Sequence, residues 1–375
     1  MTLTFFYNFL NHHQVGVADE LYRLLGDDFK FVTTLPFNPS ELKGGDDLNS
    51  RPYCVHAAAT AVAQNEALKL ARESDVCVFG ACSQPYAIER VTRGNGGLSF
   101  ECGERWLKKG LLNILSPQFL KWRVNYSRYY SQAPFYKLCS SGFAAADDNK
   151  LGCYKNRHYK WGYFTRSNSV DNNHSVTDQA TRIMWCARFL KLKHPELPLK
   201  MACNLKREGY KFHLDYYGDG EELPRTKSLA ASLNIDDVVS FHGALPNPQV
   251  LKEMAQHDIF LFTSNRLEGW GAVANEALSN GCVLVASDCV GSTPYLIENG
   301  KNGFEFKCGD VDSLTDKVRW LINHPDYMEQ MKHAAVETIN KLWNPANAAQ
   351  SLLQLIDDLN HGRETSIKQG PGSKA

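Results

Sequence analysis

The sequence predicts an α/β protein made of two Rossmann-like domains. Its 375 residues are about twice the length of an ordinary domain. Short apolar runs alternate with segments of helical periodicity, and a polar stretch divides the chain near its middle. Nearly continuous apolar strands separated by helices are typical of parallel sheets that are buried on both faces.

The first half contains four predicted strands, LTFFYNF, FKFVTTL, DVCVFGA and FYKLCSS, with helical stretches between them. They predict an N-terminal Rossmann-like domain over residues 1–165. Residues 166–180 follow, and their Asn-rich and Ser-rich composition is typical of a linker.

The second half is more regular, and its predicted strands are RIMWCARF, KFHLDYYG, VVSFHG, IFLFTS and VLVASD. They predict a C-terminal Rossmann-like domain over residues 181–345. A helix is expected at 346–361. The polar, glycine-bearing residues 362–375 are expected to form a disordered tail.

Composition and charge exclude several classes of protein. With 41 basic and 41 acidic residues, the chain does not have the charge of a nucleic-acid binder. No two of the 11 cysteines have C-x-x-C spacing, so neither a zinc site nor a redox pair is predicted. A basic signal-peptide region and an apolar run of ~20 residues are both missing. We therefore expect a cytoplasmic protein.

Charged and glycine residues follow two predicted strands of the second half, where open α/β sheets bind their ligands. Arg188 and Lys193 come after RIMWCA and are expected to pair with an anionic group such as a diphosphate. Gly218, Asp219 and Gly220 follow LDYY, where a ligand ring can approach the backbone closely. The alternative for Asp219 is a simple turn residue.

The stretch LEGWGAVANE follows IFLFTS and carries two glutamates, Glu268 and Glu276, around a predicted turn into a helix. Gly269, Trp270 and Gly271 form that turn, and backbone amides at the helix start would donate to phosphate or sugar oxygens. Because a carboxylate accepts two hydrogen bonds at once, the glutamates suit neighbouring sugar hydroxyls. The alternative is two solvated helix glutamates.

The pattern EGWGAVANE resembles the Glu-x7-Glu motif of the family-4 retaining glycosyltransferases of the GT-B fold. ARFLKLK, YYGDGEEL, VVSFHGALP and the run from EALSNG to NGFEF are similar to further elements of that family, in the same order over about residues 182–345. The resemblance implies a cleft between the two domains. It also implies a nucleotide-diphosphate sugar as donor, retention of anomeric configuration, and neither an essential metal nor another cofactor.

The same resemblance implies roles for individual residues. Arg188 and Lys193 would contact the diphosphate, Glu276 the ribose and Glu268 the donor sugar. In the first domain, NHHQVGVADELY follows the first strand, and His12, His13 and Gly16 are the candidates for the rim that faces the donor. For the two histidines, the alternative is a polar loop with hydrogen-bonded side chains.

The segment GDVDSL contains Asp310 and Asp312 at the spacing of a metal-binding D-x-D motif. It precedes a predicted helix, where carboxylates are expected to cap the first turn. We therefore predict a helix cap and no metal site.

Residues 104–132 combine tryptophans and tyrosines with Lys and Arg. Basic and aromatic amphipathic segments bind anionic membranes, so one interpretation is peripheral contact with the inner face of a membrane that carries a lipid-linked acceptor. The other is an amphipathic helix packed on the first domain.

The leading hypothesis is a retaining glycosyltransferase that moves a hexose-type sugar to a glycan or lipid-linked acceptor in cell-surface polysaccharide biosynthesis. One alternative is a nucleotide-sugar epimerase of the same architecture, for which no acid and base at the sugar ring can be identified. Another is a non-catalytic nucleotide-binding module, which the absence of a G-x-G-x-x-G fingerprint disfavours.

Overall fold

The computed structural model describes residues 1–36, 48–165 and 180–375, so that 166–179 of the predicted linker lie outside the described residues. The described residues form two compact units. The N-terminal unit comprises those up to 165 together with 343–375, and the C-terminal unit comprises those from 180 to 342. Across the described parts of the chain, none of the helices has both the length and the apolar character required to cross a bilayer.

The N-terminal unit is built on a seven-stranded parallel sheet in the order β3-β2-β1-β4-β5-β6-β7. Its strands are β1 (Leu3–Tyr7), β2 (Phe29–Thr33), β3 (Cys54–His56), β4 (Val76–Phe79), β5 (Ser99–Gly103), β6 (Phe135–Cys139) and β7 (His158–Lys160). The connecting helices are α1 (Val15–Leu25), α2 (Ala61–Glu73), α3 (Gln84–Arg93), α4 (Pro117–Arg128) and α5 (Ala144–Lys150). The central strands β1 and β4 are buried along their whole length, which explains their unbroken apolar runs.

The C-terminal unit has a six-stranded parallel sheet in the order β10-β9-β8-β11-β12-β13. Its strands are β8 (Thr181–Cys186), β9 (Phe212–Tyr217), β10 (Val239–Gly243), β11 (Ile259–Phe262), β12 (Val283–Ser287) and β13 (Gly303–Phe306). Its helices are α6 (Glu196–Arg207), α7 (Leu223–Ser232), α8 (Asn247–Met254), α9 (Val273–Ser279), α10 (Thr293–Leu296), α11 (Val311–Asn323) and α12 (Pro325–Glu337).

Each sheet reverses its strand order once, between β1 and β4 in the N-terminal unit and between β8 and β11 in the C-terminal unit. On either side of such a switch point the connections run in opposite directions, which opens a crevice at the carboxyl ends of the two central strands. The loops after these four strands are therefore the places where each unit can hold a ligand.

The C-terminal segment of the chain belongs to the N-terminal unit. Helix α13 (Pro345–Asn360) packs against α1, and a Cβ on Gly16 would lie 2.7 Å from Cγ of Pro345. The glycine therefore permits close helix packing. The expectation that Gly16 lies at a donor-facing rim stays a prediction.

The expectation of a disordered tail at 362–375 is wrong. The backbone N–H of Lys160 donates to the carbonyl of Ser373 at 2.7 Å, and Lys374 forms an antiparallel bridge with Tyr159 of β7. Thr365 is buried and its hydroxyl donates to the carbonyl of Gly372. The polar tail is ordered because its polar groups find partners at the edge strand β7, more than 200 residues away in sequence.

Candidate functional site

Two loops flank the switch point of the C-terminal sheet and are joined by hydrogen bonds. Trp185 Nε1 donates to Thr263 Oγ1 at 2.9 Å, and that hydroxyl donates to the carbonyl of Lys193 at 2.7 Å. The backbone N–H of Asn265 donates to the carbonyl of Leu192 at 2.9 Å. The loop after β8 is thereby held in a fixed position against the loop after β11.

The junction of these loops brings together two of the predicted catalytic residues. Lys193 donates to a carboxylate oxygen of Glu268 in a salt bridge whose side chains are only 14% and 16% exposed. The backbone N–H of Glu268 also donates to the carbonyl of Asn265, which fixes the turn that carries the carboxylate. A shielded ion pair of this kind holds a cation in place at the switch point before a ligand arrives.

Glu276 lies in the first turn of α9, because that helix begins only at Val273. Its Oε1 accepts a hydrogen bond from Nδ2 of Asn247, the first residue of α8, at 3.0 Å. Burial raises the pKa of the Glu276 carboxyl, and the hydrogen bond from Asn247 partly offsets that rise. The half-buried carboxylate is thus positioned by two helices.

The thiol of Cys186, the last residue of β8, is influenced by the charges of Glu276 and Lys193. Burial raises the pKa of this thiol to about 12; the charge of Glu276 raises it as well, whereas Lys193 lowers it. Both charges therefore act on the end of β8, and Glu268 is joined to Lys193 by its salt bridge. Arg188 lies in the same loop, is exposed, and has no ion pair with any described residue.

The glycines after β9 are required by close packing between backbones. Gly218 has φ +128°, and a Cβ there would lie 2.0 Å from the carbonyl oxygen of Ala187. Gly220 has φ +149°, and its Cβ would lie 2.6 Å from the carbonyl oxygen of Phe189. Asp219 is a turn residue, since its Oδ1 accepts from the N–H of Gly220 and its carbonyl accepts from the N–H of Phe189. These three residues shape the loop that carries Arg188.

The turn before α9 is formed by small and buried residues. Gly271 has φ +81°, and a Cβ there would lie 2.1 Å from the ring of Phe262. Gly269 is buried beside it. Trp270 is completely buried and its Nε1 donates to Oδ1 of Asn275 at 2.8 Å. The Trp270 side chain therefore supports the turn, and the expectation that backbone amides of this turn donate to a ligand stays a prediction.

The two histidine candidates in the N-terminal unit differ in their surroundings. His13 stacks on Tyr163 with ring centroids 5.1 Å apart and an interplanar angle of 2°, whereas His12 is exposed. His13 and Tyr163 line a cavity of about 980 Å³ at the carboxyl ends of β1, β4, β5 and β6. The cavity therefore lies at the switch point of the N-terminal sheet.

Glu101 of β5 lines this cavity and was not predicted from the sequence. Its carboxylate accepts hydrogen bonds from Lys137 Nζ at 2.7 Å, Tyr154 OH at 2.6 Å and Trp122 Nε1 at 2.9 Å. Burial alone would raise the pKa of this carboxyl, but the charge of Lys137 and the three hydrogen bonds hold the pKa below its usual range. The cavity floor therefore carries a fixed, ionised carboxylate.

The prediction that Asp310 is a helix cap is confirmed. It is the N-cap of α11, and its Oδ1 accepts from the backbone N–H of Ser313 at 3.0 Å. Within residues 1–36, 48–165 and 180–375, no group of three His, Cys, Asp or Glu side chains is placed to hold a metal ion.

Two parallel Rossmann-like sheets define the GT-B fold of glycosyltransferases, and solved structures share it along the chain. A lipopolysaccharide outer core galactosyltransferase, WaaB in its apo form, superposes with a TM-score of 0.72 at 14% identity, over 96% of this chain and 99% of that one. Anabaena Alr3699/HepE in complex with UDP gives a TM-score of 0.68 at 14% identity, over 96% and 100%.

Residues 169–338 match the family model of the glycosyl transferases group 1. The lipopolysaccharide 1,6-galactosyltransferase of Escherichia coli (strain K12) is 30% identical over 127 residues, which are 33% of this chain and 34% of that protein. The chain spans less than half the length of the curated relatives it matches first, between 27% and 45%.

Proposed function

We propose that the protein is a retaining glycosyltransferase that moves a hexose-type sugar from a nucleotide-diphosphate donor to a glycan or lipid-linked acceptor. The observation that carries the proposal is the shielded salt bridge between Lys193 and Glu268 at the switch point of the C-terminal sheet. A role in cell-surface polysaccharide biosynthesis is favoured by the similarity to proteins named for lipopolysaccharide synthesis.

The donor would lie across the switch point of the C-terminal sheet. Lys193 and the exposed Arg188 contact the diphosphate, since both leave the end of β8 and carry the charge that phosphate oxygens require. Glu276 accepts hydrogen bonds from the ribose hydroxyls, and Glu268 contacts the sugar to be transferred. UDP is the first nucleotide to test, because a structure of the same fold is described in complex with UDP.

The proposed reaction breaks the bond between the anomeric carbon and the diphosphate and forms a bond from that carbon to the acceptor oxygen on the same face. The proton of the acceptor hydroxyl passes to the departing diphosphate. Negative charge grows on the leaving group as the bond breaks, and Lys193 and Arg188 stabilise it. In this proposal the protein's cations take the place of a divalent metal.

Lys193 is suited to that task because Glu268 already fixes its ammonium group in a shielded position. A preorganised charge requires little rearrangement when the transition state forms, and electrostatic stabilisation is stronger where water is excluded. Glu268 thus has two proposed roles, since it orients Lys193 and accepts a hydrogen bond from the sugar.

The acceptor is assigned to the cavity of the N-terminal unit. A volume of about 980 Å³ suits an oligosaccharide end, and aromatic rings such as Trp106 and Tyr163 in its lining offer flat apolar faces for sugar rings. Glu101 supplies an ionised acceptor of hydrogen bonds at its floor.

We place the reaction in the cytoplasm, a compartment in which the 11 free cysteines remain reduced.

Product analysis separates the proposed transferase from its alternatives. The protein is incubated with UDP-, GDP- and ADP-sugars, with and without candidate acceptors, and proton NMR follows the anomeric signals. A transferase forms a glycoside of unchanged anomeric configuration only when an acceptor is present. An epimer that accumulates from donor alone would show an epimerase. Binding without any conversion under all conditions would show a non-catalytic module.

A further inference from the structure

Residues 107–128 of the N-terminal unit have a packed inner face and an exposed outer face. On the inner face Phe119, Trp122 and Tyr126 of α4 are buried, and Trp106 contacts Trp122 with ring centroids 4.8 Å apart. The outer face exposes five apolar side chains, which we call the apolar patch, by between 51% and 74%: Leu111, Leu112, Leu115, Leu120 and Val124. Packing on the domain therefore explains only the inner face.

The apolar patch is presented by a fixed loop. Leu107 is buried and its N–H donates to Asp147 at 2.9 Å, while Nδ2 of Asn113 donates to the carbonyl of Trp106 at 2.6 Å. Ser116 caps α4 by accepting from the N–H of Phe119. Because the loop is tied at several points, its leucines face solvent in a defined arrangement. Several large apolar side chains exposed within one short segment are typical of an interaction surface.

The charge of the surrounding chain is of one sign. From residue 105 to residue 146 the sequence contains seven Lys or Arg residues and no Asp or Glu. Three of the seven pair with acidic residues, through Arg105–Asp147, Lys108–Glu104 and Lys137–Glu101 salt bridges. The other four have no carboxylate partner among the described residues: Lys109, Lys121, Arg123 and Arg128.

The exposed leucines and the unpaired cations together favour an anionic bilayer over a second copy of the chain as the partner. A second copy of the chain would place two positive patches face to face, where like charges repel. An anionic bilayer offers negative headgroups for the cations and an acyl region for the leucines.

We propose that the apolar patch docks on an anionic membrane surface, with its leucines below the headgroups and the four cations among them. Lys108, Asn113 and Lys121 of this segment also line the cavity of the N-terminal unit, so the cavity opens beside the docked surface. An acceptor carried on a membrane lipid then enters the cavity from the bilayer side. This last clause rests on the proposed transferase function, whereas the docking itself does not.

Flotation of the full chain with phosphatidylcholine vesicles, with and without phosphatidylglycerol, tests the docking. The wild type is expected to float with the anionic vesicles. The triple change Leu111→Ser, Leu112→Ser and Leu115→Ser is expected to weaken binding at least about tenfold, because burial of each leucine is lost. The double change Lys109→Glu and Arg128→Glu should weaken it by about thirtyfold or more, because two attractive charges are lost and two repulsive ones are added.

Val62→Ser is the matched control, since Val62 of α2 is 78% exposed in the same unit. Equal flotation of the leucine variant and this control would overturn the proposal, as would absence of wild-type flotation. Self-association that depends on the same leucines, seen by sedimentation without vesicles, would show that a second copy is the partner and would also overturn it. Calorimetric binding of a soluble nucleotide sugar, which needs no bilayer, tests the donor site separately.

Discussion

Lys193 and Glu268 lie 75 residues apart in the sequence and form a salt bridge at the switch point of the C-terminal sheet. Each residue lies in a different crossover loop, so neither alone creates the site. A pair that is shielded from solvent costs desolvation free energy, which offsets much of its attraction, so it is weak evidence for stability. In the proposed mechanism its role is to present an oriented cation beside a carboxylate.

The charge of Glu268 is expected to matter more for turnover than for donor binding. In Glu268→Gln the ammonium of Lys193 loses its oriented partner, although it can still attract a diphosphate. We expect kcat to fall on the order of 100-fold, with the donor Kd changed by only a few fold. Steady-state kinetics and calorimetry measure the two quantities.

The control for this change is Glu298→Gln, which removes a carboxylate from an exposed salt bridge with Lys301 in the same unit. It should leave both constants unchanged. A kcat for Glu268→Gln equal to that of the control would remove Glu268 from the proposed mechanism.

Glu276→Ala is expected to weaken donor binding. Loss of two charge-assisted hydrogen bonds to ribose should raise the donor Kd by roughly tenfold to 100-fold. Asn247→Ala, which removes the hydrogen bond that positions Glu276, should have a smaller effect in the same direction. Calorimetric titration of the wild type, Glu276→Ala and Asn247→Ala checks the order of their donor Kd values. A wild-type Kd in Glu276→Ala would show that this carboxylate does not contact the donor.

Donor binding is also expected to depend on pH through Glu276. Burial raises the pKa of its carboxyl above the ordinary value of 4.5, so the group takes up a proton at a higher pH than a solvated glutamate does. If the ionised form binds the ribose, affinity falls as the pH falls and begins to do so above 4.5. A nucleotide sugar is the right ligand, because a free terminal phosphate titrates near about pH 6. Glu276→Gln should flatten the profile, and an unaltered profile would assign the titration to another group.

The glycine at position 218 is expected to be essential for stability of the loop. In Gly218→Ala the new Cβ would lie 2.0 Å from a carbonyl oxygen, at a φ of +128° that other residues avoid. We expect a loss of about 3 kcal/mol or more in the free energy of unfolding. Gly209→Ala, with φ +82° and no atom within 4 Å of the added Cβ, should cost only about 1 kcal/mol. Equal urea midpoints for the two variants would contradict the close backbone packing.

Strands with unbroken apolar runs, such as VCVF of β4 and IFLF of β11, were predicted from the sequence. Strand β5 was missed because SFECG carries a glutamate, and β7 was missed because HYK is short and polar at both ends. Glu101 is tolerated on β5 because Lys137 and Tyr154, 36 and 53 residues away, satisfy its carboxylate. Such distant partners cannot be predicted from the local sequence pattern.

Dependence on distant partners also distinguishes the site residues that could not be predicted from those that could. The positions of Lys193 and Glu268 could be expected because both follow buried strands of a parallel sheet. Thr263 and Asn247 were not predicted, since a threonine or asparagine in a loop is ordinary until its long-range partner is known. The burial of the Trp270 indole could not be predicted, because a motif does not show on which side of a turn a side chain packs.

The central claim is that Lys193 binds the diphosphate of a nucleotide at this switch point. Calorimetric titration of UDP and of uridine into the wild type and Lys193→Ala tests it most directly, with GDP and ADP as the further nucleotides. We expect Lys193→Ala to weaken binding of the preferred diphosphate at least about tenfold while the affinity for its nucleoside is unchanged. Equal affinity of both proteins for the diphosphate, or an equal loss for nucleoside and diphosphate, would contradict the account.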